Sequence, residues 1–288
     1  MFQEYQNQPA ATGFPVSWLT DRMLNLIAGL PAGSRVLDLG AATGSFKTAR
    51  TDLQVVRLDL DSPRSAGPAG YVLADAARMP FRTGAFDLIV SNHSLEHFPD
   101  LASTLQEIRR TLKPDGALYV AVPDATTFTD RLYRWMARGG GHVNAFESPS
   151  DVIGPVERAT GLALRSTGTL YTSLSFLNSH NFTAPPPRKI ALFAGGSEGF
   201  LAAFTWMLRW IDRHFGSRLS VYGWAFYFGN VDLPETLEPW INVCVRCGAG
   251  LSETWLGATG AVGPSPGAFA RYRCPNCGGW NRLTRERE

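Results

Sequence analysis

Five short apolar runs alternate with polar or helical segments over the first 124 residues of the chain. We interpret these runs as buried strands, and they are RVLDL, VVRLDL, YVLAD, AFDLIVSN and GALYVAVPD. The segment between the fourth and fifth runs has apolar residues at helical spacing, namely Leu101, Leu105, Ile108 and Leu112. Strands that alternate with helices predict βαβ units and ligands at the carboxyl ends of the strands. The pattern therefore predicts an α/β, doubly wound and mostly parallel sheet.

The pattern changes after Tyr171. Ten of the chain's 33 aromatic residues lie between Phe200 and Phe228. The first part of this segment predicts an amphipathic helix whose narrow polar stripe is Thr205, Arg209, Asp212 and Arg213. The second part, VYGWAFYFG, predicts an aromatic strand. We interpret the segment as an insertion that completes the sheet and caps the ligand site at the strand ends. The alternatives are ordinary core packing, a partner surface and a membrane surface.

The stretch VLDLGAATGSF, Val36 to Phe46, predicts a strand, a glycine loop and then a helix. Dinucleotide-binding folds use G-x-G-x-x-G here, so that a pyrophosphate can bind the helix N-terminus. In this chain Gly40 and Gly44 are four residues apart, and Asp38 stands two residues before the first glycine. A carboxylate there opposes a pyrophosphate but accepts hydrogen bonds from a ligand ammonium. The loop therefore favours S-adenosylmethionine (SAM), which has an amino-acid tail and no phosphate.

With this loop and the segments after it, the chain resembles the class I SAM-dependent methyltransferases, specifically the type 11-like small-substrate group. The resemblance runs from Val16 to Tyr171 and includes ADAARMPF and GAFDLIVSNHSLEHFPDLASTLQEIRRTLKPDGALYVAVPD. It implies a Rossmann-like sheet, methyl transfer and SAM as the cofactor. Two residues depart from the family pattern, since Ala42 replaces the middle glycine of the loop and Asp115 replaces another usual glycine. We interpret Ala42 as a tolerated variant, because alanine is the smallest change available.

The same resemblance implies which residues bind SAM. Asp59, at the end of the second strand, matches the acid that binds the ribose hydroxyls, and Asp75 matches the acid beside the adenine. The predicted cofactor-binding set is Asp38, Gly40, Ala42, Gly44, Asp59, Leu60, Asp75, Ala76, Ser91 and Asn92.

The candidate catalytic residues are histidines. Methyl transfer requires the acceptor in line with the methyl group, within about 3–3.5 Å, and a hydroxyl acceptor benefits from a general base. SNHSLEH follows the fourth strand, where the family places the methyl group, so His93 is the first candidate base. His142, on the glycine-rich GGGHVNAF, is the second, with ordering of its own loop as the alternative. His97 ranks last, because packing against the following helix explains it equally well.

All four cysteines lie in the last fifth of the chain, as Cys244-x-x-Cys247 and Cys274-x-x-Cys277. Two such pairs supply four thiolates for a tetrahedral zinc ion, and a glycine after each pair relieves the tight turn. The alternatives are two disulfides, which the lack of a secretion signal disfavours, and a redox-active pair. We therefore predict a structural zinc ribbon with all four cysteines as ligands.

The elements predict three units: a SAM-binding core at 1–175, the aromatic segment at 176–240 and the zinc ribbon at 241–288. A net charge of +2 gives no global basic field for nucleic acid or acidic membrane. The most apolar segment, Ile190 to Ile211, is interrupted by Glu198 and Arg209, so we expect no transmembrane segment and a cytoplasmic protein.

Three functional hypotheses follow from these features. The first is a SAM-dependent methyltransferase that acts on a small molecule or a saccharide-type acceptor such as a glycan, at a hydroxyl oxygen. The second keeps SAM but makes RNA the acceptor, with the ribbon and its five nearby arginines as the reader. The third is a zinc-ribbon binding protein whose methyltransferase fold has lost catalysis. SNHS is not the (Asp/Asn)-Pro-Pro-aromatic loop of methyltransferases that act on adenine or cytosine amino groups, which argues against that chemistry.

Overall fold

The computed structural model of the chain describes residues 22–41, 44–46, 48, 50–61, 70–136, 141–181, 196–231, 240–264 and 270–285. Six α-helices lie in this part of the chain: α1 Arg22–Gly29, α2 Leu101–Thr111, α3 Phe128–Met136, α4 Ser150–Thr160, α5 Glu198–Phe215 and α6 Glu253–Ala258. The larger sheet contains β1 Arg35–Leu39, β2 Gln54–Asp59, β3 Tyr71–Leu73, β4 Phe86–Asn92, β5 Leu112–Pro123, β6 Leu164–Tyr171 and β7 Val221–Gly229. Four short strands follow: β8 Asn242–Val243, β9 Gly250–Leu251, β10 Arg271–Arg273 and β11 Trp280–Arg282.

The larger sheet has seven strands in the order β3-β2-β1-β4-β5-β7-β6. Neighbouring strands from β3 to β5 are all parallel, whereas β7 is antiparallel to both β5 and β6. This order reverses at β1 and β4, so the carboxyl ends of these two central strands form the crevice in which doubly wound sheets bind ligands. The fold is the Rossmann-like sheet of the class I methyltransferases, as predicted.

Each face of the sheet has its own apolar core. On one face α2 and α4 pack against side chains such as Leu39 and Leu118. On the other face Met23 and Ile27 of α1 pack against Val36 and other strand residues. Because both faces are covered, the central strands are apolar without a strict alternation, which is why they were recognisable as continuous runs.

The predicted helix after the glycine loop is not found among the described residues of that segment. Residues 44–46, 48 and 50 lie in no helix, and β2 begins at Gln54, only 15 residues after Leu39. This short connection is instead fixed by Arg50, whose guanidinium donates hydrogen bonds to the carbonyl oxygens of Ala28 and Leu30 and to Asp52. The segment after the glycine loop is therefore attached to the end of α1.

The aromatic strand belongs to the sheet and does not form a cap. β7 lies between β5 and β6, with Val120 opposite Phe226 and Gly168 opposite Ala225. Its aromatic side chains extend both cores, since Trp224, Phe226 and Phe228 lie on one face and Tyr227 on the other. The prediction of a roof over the site is wrong for this strand, whereas its completion of the sheet agrees with the prediction.

The polar stripe of α5 is not a solvent-facing stripe. Thr205 and Arg209 are both buried, and Arg209 donates a hydrogen bond of 2.8 Å from Nη2 to the carbonyl oxygen of Thr172. Asp212 accepts hydrogen bonds from the backbone amides of Leu219 and Ser220, which fixes the turn into β7. These polar groups attach the helix to its neighbours.

The cysteine-bearing segment is a pair of two-stranded sheets, β8–β9 and β10–β11, with α6 between them. It contacts the rest of the chain through Arg246, whose guanidinium forms a bidentate ion pair with the carboxylate of Glu198 at the start of α5. Asn178 and Asn181 donate hydrogen bonds to the carbonyl oxygens of Val245 and Arg246. Among the described residues, no helix is both long and apolar enough to cross a membrane.

Candidate active site

The glycine loop leaves β1 at the central crevice. Gly40 has φ +69° and Gly44 has φ +115°, backbone conformations that favour glycine. A side chain on Gly40 would come within 2.4 Å of the Ser94 Cβ, so the loop packs directly on the segment after β4. Ala42, the residue that departs from the glycine pattern, lies outside the described residues.

Asp38 lies beneath this loop and is fully buried. Its Oδ2 accepts a hydrogen bond of 2.8 Å from the Ser45 amide and lies 3.7 Å from Nε of Arg57. Burial raises the pKa of this carboxyl from 3.8 to about 6, against the opposing effects of Ser45 and Arg57. Its Oδ1 has no hydrogen-bond partner among the described residues. A buried carboxylate oxygen without a donor is a ready acceptor for a ligand ammonium.

The predicted ribose and adenine residues lie along the same edge of the sheet. Asp59 is the last residue of β2 and pairs in register with Leu73 of β3, so Asp75 follows two residues beyond its neighbouring strand. Leu60 is 69% exposed, whereas Ala76 is buried. The exposed Leu60 side chain, between Asp59 and Asp61, offers an apolar surface against which an adenine ring can pack. The structure thus places Asp59, Leu60, Asp75 and Ala76 at one rim of the crevice.

Ser91, Asn92 and His93 lie where β4 ends. The Oγ atoms of Ser91 and Ser94 are 2.6 Å apart, and Ser94 donates to the carbonyl oxygen of Leu39, so the β4 turn is bonded to the end of β1. His93 has φ +54°, a strained conformation for a residue with a side chain. The turn therefore holds His93 in an enforced conformation beside the glycine loop.

The segment 141–146, called the clamped segment below, is hydrogen-bonded to this turn. Asn144 donates from Nδ2 to the carbonyl oxygens of Leu95 and Phe98, at 2.9 and 2.8 Å. The amides of Val143 and Asn144 both donate to the carbonyl oxygen of Glu96. These bonds join two segments that are about 50 residues apart and bring His142 to the active-site face of the turn.

An acid–histidine cluster results, which we define as Glu96, His97, Asp130 and His142. The rings of His97 and His142 stand edge to face, with centroids 4.9 Å apart. Asp130 Oδ1 lies 3.5 Å from Nδ1 of His142, and Asp130 Oδ2 lies 2.7 Å from Nε of Arg134. His93 adjoins the cluster, since its Nδ1 is 4.0 Å from Glu96 Oε1.

Burial shifts the pKa values of these groups in opposite directions. Burial, with a smaller contribution from the nearby carboxylate of Asp130, raises the pKa of Glu96 to about 8. It also raises the pKa of Asp130, against the effect of Arg134. Burial lowers the pKa of His93 and of His142 to about 4 each. Both imidazoles are therefore neutral near pH 7, with unprotonated nitrogens of weakened basicity.

Two tyrosines line the same region. The rings of Tyr222 and His93 have centroids 5.1 Å apart, and those of Tyr133 and His142 are 5.5 Å apart. Tyr222 is the second residue of β7, and burial raises its pKa well above 10. The inserted antiparallel strand thus contributes one aromatic residue to the site, although the strand itself is part of the sheet.

Only some residues of the acid–histidine cluster and its surroundings were predictable from the sequence. We identified His93 and His142 from the sequence, ranked His97 last and overlooked Glu96, Asp130 and Tyr222. The dipeptide Glu96-His97, four residues after the strand, was a signal that could have been used. Asp130 and Tyr222 gave no such signal, because their positions depend on how α3 and β7 pack.

The four cysteines lie together in the second candidate site. The Sγ atoms of Cys244 and Cys277 are 3.6 Å apart, as are those of Cys247 and Cys274. Four thiolates around zinc, each with a Zn–S distance of about 2.3 Å, stand about 3.8 Å apart, whereas disulfide sulfurs stand about 2.05 Å apart. The Asn281 and Asn276 amides donate to the sulfurs of Cys244 and Cys247, as is typical around metal thiolates. The cluster fits a tetrahedral metal and not two disulfides.

The part of the chain that contains the glycine loop and most of the larger sheet is similar to known methyltransferases. A family model described as "Methyltransferase domain" matches residues 16–163, just over half of the chain. The malonyl-(acyl-carrier protein) O-methyltransferase of Legionella pneumophila is 30% identical over 135 residues, which cover 42% of this chain and 48% of that protein. The ubiquinone biosynthesis O-methyltransferase of Xanthomonas oryzae is 27% identical over 161 residues, 49% of this chain and 67% of that protein.

A relative named for a different acceptor atom matches as well. The ubiquinone/menaquinone biosynthesis C-methyltransferase of Haemophilus ducreyi is 33% identical over 110 residues, which cover 32% of this chain and 42% of that protein. The matched stretches thus span less than two thirds of several of these relatives. Among solved structures, a putative methyltransferase from an antibiotic biosynthesis pathway of Anabaena variabilis has 17% identity and a TM-score of 0.49, and the match covers 75% of this chain and 99% of that one.

Proposed function

Because the chain belongs to the methyltransferase-domain family and is a SAM-dependent methyltransferase, we propose that it methylates a hydroxyl oxygen of a small molecule. One observation carries this proposal: a neutral imidazole, His93, directly follows β4 in a turn that packs on the glycine loop. A base beside the cofactor loop is useful for a hydroxyl acceptor and unnecessary for a thioether or an amine that is already nucleophilic.

The residues present fit the cofactor. The unpaired Oδ1 of Asp38 would accept from the ammonium of the amino-acid tail, and Gly40 and Gly44, both at positive φ, would lie beside that tail. Asp59 would accept from the ribose hydroxyls, and Leu60 would contact the adenine beside Asp75. SAM supplies a methyl group that is already activated by its positive sulfur.

The proposed roles of this chain's residues are to position the acceptor and to remove its proton. His93 accepts the proton of the hydroxyl as the oxygen attacks the methyl carbon. The oxygen–carbon bond would form while the carbon–sulfur bond of bound SAM breaks, and the electron pair of the broken bond would stay on sulfur and neutralise the sulfonium. The proton then leaves His93 for water, which is easy because the low pKa of the imidazole disfavours its charged form.

The lining of the site supports a neutral acceptor. Glu96 and Asp130 are buried carboxyls, and the nearest guanidinium, that of Arg134, is already paired with Asp130. An acceptor carboxylate would gain no free cation from the described residues around the acid–histidine cluster, and burying its charge there without a partner would be costly. We therefore favour a phenol or alcohol over a carboxylic acid, in contrast to the malonyl group in the name of the Legionella relative.

For the C-terminal segment we propose a structural zinc ion held by Cys244, Cys247, Cys274 and Cys277. The geometry that supports it is the pair of 3.6 Å sulfur contacts within one buried cluster. The ion would hold the small C-terminal subdomain together, and the ion pair between Arg246 and Glu198 attaches this subdomain to α5. Metal analysis of the purified protein should give one zinc per chain, lost in Cys274→Ser; a zinc-free, fully active protein would reject the ion.

A combined binding and product assay tests the methyl-transfer proposal. Calorimetry should show that SAM binds, and the purified enzyme should convert SAM to S-adenosylhomocysteine when it is offered a panel of phenols, catechols and alcohols. Matched carboxylic acids and amines should give at least tenfold less product. Turnover confined to carboxylates, to carbon acceptors or to RNA would reject the hydroxyl assignment, and no SAM binding at high micromolar concentration would reject the enzyme itself.

A further inference from the structure

Three potential ligand atoms meet in the acid–histidine cluster. One atom each of Glu96, His97 and His142 lies within 4.8 Å of the other two. Two imidazole nitrogens and one carboxylate oxygen are a donor set that binds first-row divalent metals and leaves other coordination positions open. An ion about 2.1 Å from each atom would bring these atoms to about 3.0–3.4 Å from one another, so each separation would shorten by at most about 1.4–1.8 Å, within reach of side-chain rotations.

The strongest sign of a missing partner is the carboxyl group of Glu96. This side chain is 1% exposed, and its Oε2 has no hydrogen-bond partner among the described residues. An ionised carboxylate buried without a partner carries a desolvation cost of several kcal/mol, so such a group either keeps its proton or binds a cation that compensates its charge. Arg134 does not fill this role, since its Nε pairs with Asp130.

Both histidines are oriented as metal ligands usually are. Nδ1 of His97 is 3.0 Å from the carbonyl oxygen of Gly141, so the carbonyl favours a proton on Nδ1 and leaves the lone pair on Nε2. Nδ1 of His142 faces the Asp130 carboxylate at 3.5 Å. A carbonyl or carboxylate behind the distal nitrogen fixes the tautomer and makes the other nitrogen a better ligand.

From this geometry we propose that Glu96, His97 and His142 form a binding site for one divalent transition-metal ion, oriented by Gly141 and Asp130. The site is chemically separate from the cysteine cluster, since its oxygen and nitrogen donors suit manganese, iron, cobalt or zinc, whereas four thiolates favour zinc.

The open positions of this ion would bind the acceptor oxygen. This role rests on the proposed hydroxyl methylation. A hydroxyl bound to a divalent cation would lose its proton more easily, and the His93 imidazole, whose Nδ1 lies 4.0 Å from Glu96 Oε1, stands beside the site to receive it. The proton would go to His93 and the oxygen would keep its electron pair, with no change in the oxidation state of the ion.

Manganese uptake tests the site without requiring turnover. The protein is treated with a chelator, reloaded with one equivalent of zinc for the cysteines and titrated with Mn²⁺, while the free ion is followed by electron paramagnetic resonance. We expect one Mn²⁺ per chain for the wild type. Glu96→Gln and His142→Ala should each weaken Mn²⁺ binding at least tenfold. His214→Ala, which removes an exposed histidine of α5, is the matched control and should bind Mn²⁺ like the wild type.

SAM affinity and circular dichroism of the same samples separate this test from the proposed function. Glu96→Gln with native SAM affinity and weakened Mn²⁺ binding supports the site. A wild-type protein that takes up no Mn²⁺, Co²⁺ or second zinc overturns it, whether or not SAM binds. Equal Mn²⁺ affinity in Glu96→Gln and wild type also overturns it. If Glu96→Gln fails to fold, His97→Ala and His142→Ala decide by the same two criteria.

Discussion

The proposed cofactor side and the proposed acceptor side of the crevice, called the cofactor side and the acceptor side below, are built in different ways. On the cofactor side, Asp38, Gly40 and Gly44 lie within seven consecutive residues, and each later acid ends or follows the next strand. On the acceptor side, the acid–histidine cluster comes from the turn after β4, from α3 and from the clamped segment at 141–146. The first region depends on local sequence and the second on tertiary packing, so they should respond differently to mutation.

The two sides also differ in electrostatics. Asp38 is a single buried carboxyl with one unpaired oxygen, which suits one cation of fixed position. The acceptor side holds several titratable groups whose pKa values burial moves apart, upward for Glu96 and downward for His93 and His142. Such opposed shifts are typical of groups that handle protons. We therefore expect mutations on the cofactor side to change binding and those on the acceptor side to change turnover.

The largest effect should come from His93→Asn. Asparagine tolerates the positive φ at this position, so the turn should persist while the base is lost. We expect kcat to fall by about 10²–10⁴ with SAM affinity unchanged, because a general base acts only on the acceptor. Steady-state kinetics and SAM calorimetry check this. An equal loss of SAM affinity would mean that His93 supports the cofactor side and is not a base.

The second largest effect should come from Asp38→Asn, which should raise the unfolding free energy and lower the SAM affinity. The pKa of Asp38 is higher in the folded protein, about 6 against 3.8, so the folded state holds this proton more tightly. Its ionisation therefore destabilises the fold as the pH rises from about 4 to about 6, by about 3 kcal/mol in total. The amide should raise the unfolding free energy of the SAM-free protein by up to that amount near pH 7.

Urea unfolding at a series of pH values measures this gain, which should shrink toward zero below about pH 4. SAM affinity should fall in the same variant, since the ammonium loses its charged acceptor. A variant that is less stable than the wild type near pH 7 would contradict the desolvation cost assigned to this buried carboxylate, and unchanged SAM affinity would contradict its role in binding.

A smaller loss is expected for Asp59→Ala. Hydrogen bonds from the ribose hydroxyls to a carboxylate contribute about 1.5–3 kcal/mol, which corresponds to about 10- to 150-fold in SAM affinity. Asp61→Ala removes an exposed acid two residues later and is the matched control. Calorimetry with both variants tests the ribose assignment, which fails if the two bind SAM equally well.

The smallest effect should come from Ala42→Gly. Removing one methyl group from the glycine loop should leave SAM affinity intact or tighten it, by less than about 1 kcal/mol, because glycine allows a closer backbone approach. A collapse of SAM binding, measured by the same titration, would show that the loop serves a different ligand.

Much of the fold could be predicted because buried parallel strands leave continuous apolar runs. The helix expected after Gly44 was inferred from the motif alone, and the short connection to β2 leaves little room for it. The place of β7 was hidden for another reason: this strand begins at Val221, far along the chain from the end of its partner β5 at Pro123, and register is a tertiary property. The position of Glu96 beside His97 after β4 could have been used, whereas Asp130 could not be found, because its place in the cluster depends on how α3 packs.

A crystal structure with bound S-adenosylhomocysteine tests the division of the crevice most directly. We expect the product's ammonium on Oδ1 of Asp38, its ribose hydroxyls on Asp59 and its sulfur facing the turn that carries His93. A product molecule whose ribose lies away from Asp59, or whose sulfur faces away from His93 and the acid–histidine cluster, would contradict it.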